Sequence, residues 1–182
     1  KFTTGAEMNN KKENLQDAID YVKTFYKEVS QMVVDTIELM AEKERKPKET
    51  ESYANLSYAL DNPDKWMCSY LYKNFKNEKI EEHTLGIIVF FDEDKNKKFP
   101  MSIVCVKVNV NHRMYNKWHI FRLWEENIEK LKELTGNIID VDAEKFEDAN
   151  LRFTGKMFSL PLTDITSKED LETKVVNKLL SC

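Results

Sequence analysis

The chain has 182 residues, 41% hydrophobic and 33% charged, with four Gly, four Pro and a formal net charge of −4. That balance fits neither disorder, nor a disulfide scaffold, nor a repeat array, and the length suits about one compact domain. Cys68, Cys105 and Cys182 are odd in number and widely scattered, which argues against a disulfide framework or zinc ribbon and for a reducing cytoplasm.

The first Met is Met8. Residues 1–10 are expected to be a disordered or non-native N-terminus, and residues 11–182 a single α+β domain. Residues 13–46 contain no Pro or Gly, and Leu15, Ile19, Val22, Tyr26, Val29, Val33, Ile37 and Met40 recur at the spacing of one helical face. A helix of that length would be about 50 Å long against about 40 Å for a compact domain of this size, so it must cross the domain, project or break. Its second half widens into Met32, Val33, Val34, Ile37, Leu39 and Met40. That width predicts contact from two sides, by the sheet and by another helix or a second copy of the chain. Pro47 and the charged stretch 43–51 are expected to end it.

A short helix is expected over 51–60. A better marked one is expected over 63–75, where Asn62 offers a capping oxygen, Pro63 suits the first helical position and Asp64 favours the positive end of the dipole. Trp66, Met67, Tyr70, Leu71 and Phe75 are its packing residues, dense enough in aromatics to line a pocket instead. The apolar run 85–91 predicts a strand buried on both faces, and it falls far short of the roughly 20 residues needed to span a bilayer.

Residues 101–111 alternate, with Val104, Val106, Val108 and Val110 on one face and Ile103, Cys105, Lys107 and Asn109 on the other, so the two segments should pair as an antiparallel hairpin. A second helix is expected over 116–135, stopped by Gly136. Ile120, Phe121, Trp124, Ile128 and Leu131 would share its apolar face, leaving Trp118, His119, Arg122, Glu126 and Glu129 on the other. Weaker strands are expected over 137–141 and 151–162. Ser167 and Asp170 resemble a capping box that opens a last helix through Leu180. The predicted fold is α+β: an antiparallel sheet containing a central hairpin, packed by a long N-terminal helix and further helices.

Residues 95–124 contain no Asp or Glu. Once the hairpin turn is set aside, the cations, imidazoles and aromatics concentrate at the hairpin-to-helix junction: His112, Arg113, Tyr115, Lys117, Trp118, His119 and Arg122. Lys107 is expected to reach the same region from the strand's exposed face. A helix opening there would add unpaired N–H groups and a partial positive charge, a means of holding carboxylate or phosphate. The competing reading is intramolecular: these groups pair with the acids of 125–148.

For single-stranded nucleic acid, Tyr115 and Trp118 would be stacking platforms beside Arg113, Lys117 and Arg122. The Arg-x5-His spacing of Arg113 and His119 resembles the motif of a group of metal-independent helical ribonucleases. That resemblance implies proton handling at the ribose 2′-oxygen by His119 and phosphate stabilisation by Arg113. Residues 92–96 open like a calcium loop, but Lys97 and Ile103 stand where Gly and Glu are needed, so no metal is expected there, and no cofactor is expected anywhere.

The function expected first is a non-enzymatic intracellular binding or regulatory domain. It would bind a protein partner or self-associate through its first helix. The alternative is an anion or single-stranded nucleic-acid binder using the junction 107–122, with a metal-independent ribonuclease third. No membrane partner is expected.

Overall fold

Alternating and doubly apolar segments in the middle of the chain build an antiparallel sheet, and the helices take its two faces. The computed structural model describes residues 5–47, 53–54, 70–76, 83–91, 101–109, 118–131, 133, 135–145 and 148–182. In chain order the elements are α1 (Gly5–Glu42), β1 (Lys46–Pro47), β2 (Tyr53–Ala54), β3 (Tyr70–Lys76), β4 (Thr84–Phe90), β5 (Ser102–Asn109), α2 (Trp118–Leu131), β6 (Ile139–Lys145) and β7 (Asp148–Pro161). A last helix, α3, runs over 168–181 as Lys168–Asp170, a π-helical stretch Leu171–Val176, and Asn177–Ser181.

The sheet order is β1-β3-β4-β5-β7-β6, with β2 also on β3, and every pairing is antiparallel. The predicted hairpin is its centre: β4 is buried at all seven positions and pairs with β5 from Thr84↔Val108 to Phe90↔Ser102. A strand apolar on both faces is stable only where both faces are covered.

Register sorts the side chains into two cores. Val104, Val106 and Val108 of β5, with Ile88 and Phe90 of β4, share a buried cluster with Leu123, Trp124, Ile128 and Leu131 of α2. Burial of a side chain such as Leu123, fully enclosed there, contributes about 2 kcal/mol. The opposite face carries Ile87, Ile103, Cys105, Lys107 and Phe158, and α3 lies over it: Lys178 Nζ stands 5.2 Å from the Phe158 ring centre, and Lys107 Nζ donates to the Cys182 carbonyl. Leu171, Val175, Val176 and Leu179 are the buried side of α3. The Ser167 hydroxyl accepts from the Asp170 N–H at 3.1 Å, the cap that the sequence predicts.

The chain divides into two compact units, residues 1–35 and 36–182. The first is α1 up to Asp35; its helical backbone begins at Gly5, within the stretch expected to be a disordered N-terminus. In the second, the last turns of α1 bury Thr36, Leu39 and Met40 and are tied to α3 by Glu38–Lys168 at 2.8 Å and Lys43–Glu172 at 3.8 Å.

Four local expectations are corrected. The long helix stops at Glu42, before Pro47 has any effect: Glu44 takes φ 56°, its N–H bonds to the Ala41 carbonyl at 3.0 Å, and the Arg45 N–H bonds to the Met40 carbonyl at 2.8 Å. That double closure satisfies the helix's last carbonyls with a non-glycine residue in the left-handed region, and Pro47 then enters β1.

Residues 70–76 form a strand, where the end of a helix was expected. Pairing with β4 along seven residues outweighs the helical reading, and the aromatic residues Tyr70, Tyr72 and Phe75 suit a pleated surface. Likewise Tyr53 and Ala54, expected in a short helix, pair with Tyr72 and Leu71. Helix α2 ends at Leu131, short of the expected Thr135, where the buried Ser159 hydroxyl donates to the Leu131 carbonyl at 2.7 Å. Gly136, at φ 71°, then turns the chain and donates its N–H to the Ser159 carbonyl at 3.0 Å.

Candidate functional site

The sheet separates two of the candidate residues, Lys107 and Arg122. Lys107 alternates with Val106 and Val108, so it lies on the face covered by α3, while Arg122 belongs to α2 on the other face. Lys107 is part-buried, sits directly across from Lys156 on β7, and donates to the main-chain carbonyl of Cys182. It therefore serves α3 rather than the junction. Two lysines opposite one another repel, and a carbonyl at the end of a helix is a suitable counterweight to such a pair.

Arg122 is held within its own helix. Its Nε lies 2.6 Å from the Glu126 carboxylate, one turn further on. A pair of this kind contributes about 0.3–0.5 kcal/mol, enough to orient the guanidinium but not to fix it. For this residue the intramolecular reading of the basic run is the observed one. The acids further along have cationic neighbours on β7 by register: Asp140 faces Lys156 and Glu144 faces Arg152.

Trp118 and His119 open the described part of α2, and the expected start at 116 lies outside the described residues. His112, Arg113, Tyr115 and Lys117 lie outside the described residues, as do the calcium-like segment 92–96 and the packing residues Trp66 and Met67. Of the eight candidate residues only Lys107 and Arg122 have described side chains, and the structure separates these two.

The residue of α2 that sequence reasoning passed over is Asn127. It is 3% exposed; its Nδ2 donates to the Leu123 carbonyl at 3.0 Å and to the Asp142 carbonyl at 3.1 Å, and its Oδ1 accepts from Lys130 Nζ at 3.0 Å. These partners fix which end of the amide is which. Asn127 fastens α2 to β6, the last strand of the sheet. A strand at that position presents unpaired backbone groups, and a clamped carbonyl together with charged side chains makes it a poor template for another chain. The available signal was a polar residue inside the apolar stripe, between Trp124 and Leu131.

Gly155 has a comparable structural role. A Cβ there would stand 2.4 Å from the Lys107 carbonyl oxygen and 3.2 Å from Leu123 Cδ1, so glycine is what lets α2 and β5 approach β7 so closely.

Among the described residues no group of three or more His, Cys, Asp or Glu side chains is arranged to hold a metal ion, and no helix is long and apolar enough to cross a membrane. No family model, curated protein or solved structure matches the chain.

Proposed function

We propose that the protein is a non-enzymatic binding or regulatory domain that acts through protein association, with self-association through α1 as its central property. One observation carries this reading. Every described side chain from Asn14 to Glu28 is exposed or only part-buried, yet this stretch repeats apolar residues, with Ile19 41% and Tyr21 74% exposed. Its polar side needs no partner, since Gln16, Asp20 and Lys23 bond among themselves and Gln31 donates to Asp35 at 2.8 Å. An apolar stripe along so exposed a helix is the feature of a surface that meets another chain.

Cys105 and Cys182 are free thiols, which agrees with a cytoplasmic setting. The anion or nucleic-acid alternative has less behind it: Lys107 is committed to the α3 side of the sheet and Arg122 to Glu126.

Size-exclusion chromatography with light scattering tests the reading across roughly 1–200 µM protein, because association must follow mass action. A mass that rises towards the dimer with concentration is expected, and a strict monomer throughout would overturn it. Fluorescence anisotropy with labelled single-stranded RNA at two salt concentrations addresses the alternative, since charge-driven binding must weaken as salt rises.

A further inference from the structure

We infer that the partner of α1 is α1 of a second copy, running antiparallel, with Ile19 packed across from Val22 of the partner subunit. This rests on the self-association just proposed and adds its geometry. Leu15, Ile19, Val22, Tyr26 and Val29 follow one another in steps of four, three, four and three residues, with Val29 already buried and the stretch before it exposed or part-buried wherever it is described. Alternating steps of four and three, with a mean of 3.5, are the spacing along which two helices pack.

The two flanks of the stripe differ, and the difference selects the direction. One flank is apolar, with Ala18, Phe25 and Met32; the other is polar, with Gln16, Lys23 and Ser30. In a parallel pair each apolar flank would meet the polar flank of its mate, setting Phe25 against Ser30 of the partner subunit and Ala18 against Lys23 of the partner subunit. A two-fold axis across the helices instead pairs apolar flank with apolar flank and polar with polar.

Charge agrees. Asp17 and Asp20 precede Lys23 and Lys27, all exposed. Parallel helices would align acid with acid and base with base. Reversal about a point between Asp20 and Tyr21 carries each acidic block to the other helix's basic block and leaves Lys23 about 3 Å along the axis from Asp20 of the partner subunit. Lys23 already lies 3.4 Å from Asp20 within the chain, so it needs only to share that carboxylate.

Double electron–electron resonance tests this on the full chain, with Cys68 and Cys182 changed to Ser and a spin label at Gln31→Cys. Gln31 is exposed. In the antiparallel pair the two labels are separated by about 30–40 Å, in a parallel pair by about 20 Å or less. In the same background Ile19→Asp should raise the dissociation constant at least about tenfold, a charge having entered an apolar layer. Its circular dichroism should match the parent's, because Ile19 is exposed in the single chain. A dimer with the short distance would overturn the antiparallel geometry while leaving self-association standing. A monomer at all concentrations, or a dimer indifferent to Ile19→Asp, would overturn both.

Discussion

Replacing Asn127 by Asp keeps the shape of the side chain and removes only its two donors. At neutral pH the new carboxylate would hold an oxygen against the Leu123 and Asp142 carbonyls, at the 3.0 and 3.1 Å now spanned by hydrogen bonds. The Leu123 carbonyl lies within α2 and keeps its own helical bond, so its loss matters little. The Asp142 carbonyl loses a partner in a site where the side chain is 3% exposed, at a cost of about 1–3 kcal/mol. Oxygen–oxygen repulsion adds to this, and a charge-assisted contact with Lys130 takes some of it back. The net deficit is about 3 kcal/mol, roughly a hundredfold in the unfolding equilibrium and about 10 °C in melting temperature.

The deficit depends on pH, with a sign that follows from the site. Burial and two facing carbonyls raise the new group's folded pKa above its unfolded value near 3.9, outweighing Lys130. Below the unfolded value the carboxyl is neutral in both states and can donate one hydrogen bond, leaving a deficit of about 1 kcal/mol. As pH rises through the folded pKa the full deficit develops. Urea melts of both proteins at pH 4 and pH 7 measure the difference, and hydrogen exchange should show β6 losing protection first. A deficit equal at the two pH values, or absent at neutral pH, would refute the role assigned to Asn127.

Gly155→Ala should cost roughly 3 kcal/mol in chemical denaturation, because the added Cβ meets the Lys107 backbone at 2.4 Å. A variant as stable as the parent would mean that β7 shifts without penalty. Lys174, and then the hydroxyl and N–H of Thr166, hold the Asp170 carboxylate well below the usual range. A folded pKa below the unfolded one gives stability that is present above about pH 4 and lost as pH falls. Asp170→Asn should therefore flatten the acid limb of the stability profile, and an unchanged slope would contradict the ion pair's role. Burial pushes the Cys105 thiol well up, and the residue is fully enclosed. Peptide mapping after exposure to a thiol reagent should find Cys105 unmodified in the folded protein and modified in denaturant; labelling in the folded state at the rate of Cys182 would count against this packing.

The central strands were legible because their pattern admits one reading. A run such as that of β4, apolar at every position and rich in β-branched residues, has nowhere to go but the middle of a covered sheet, and the alternation in β5 fixes which residues share a face. Ser167 and Asp170 marked the start of α3 because capping is local chemistry, complete within four residues. Long-range pairing was harder to see. In β3 the spacing of Tyr70, Leu71 and Phe75 fits a helix as well as a strand, and only the β4 ladder distinguishes them.

The candidate site shows the same limit. Its composition was readable, but whether Lys107 and Arg122 could meet depended on which face of the sheet α2 would cover. The end of α1 is a third case: Glu44 carries no mark of the left-handed turn it makes, since that conformation is rarely adopted by a residue with a side chain.

By itself the sequence determined the fold class, the central hairpin, the two strongest helices and the stripe along α1, because period and propensity act over a few residues at a time. Tertiary structure alone decided that Lys107 and Arg122 lie on opposite sides of the sheet, that Asn127 fastens α2 to β6, and that α1 ends at Glu42. Those are matters of which distant segments come into register, and pairing energies of that kind are properties of the assembled sheet and absent from any local stretch of chain.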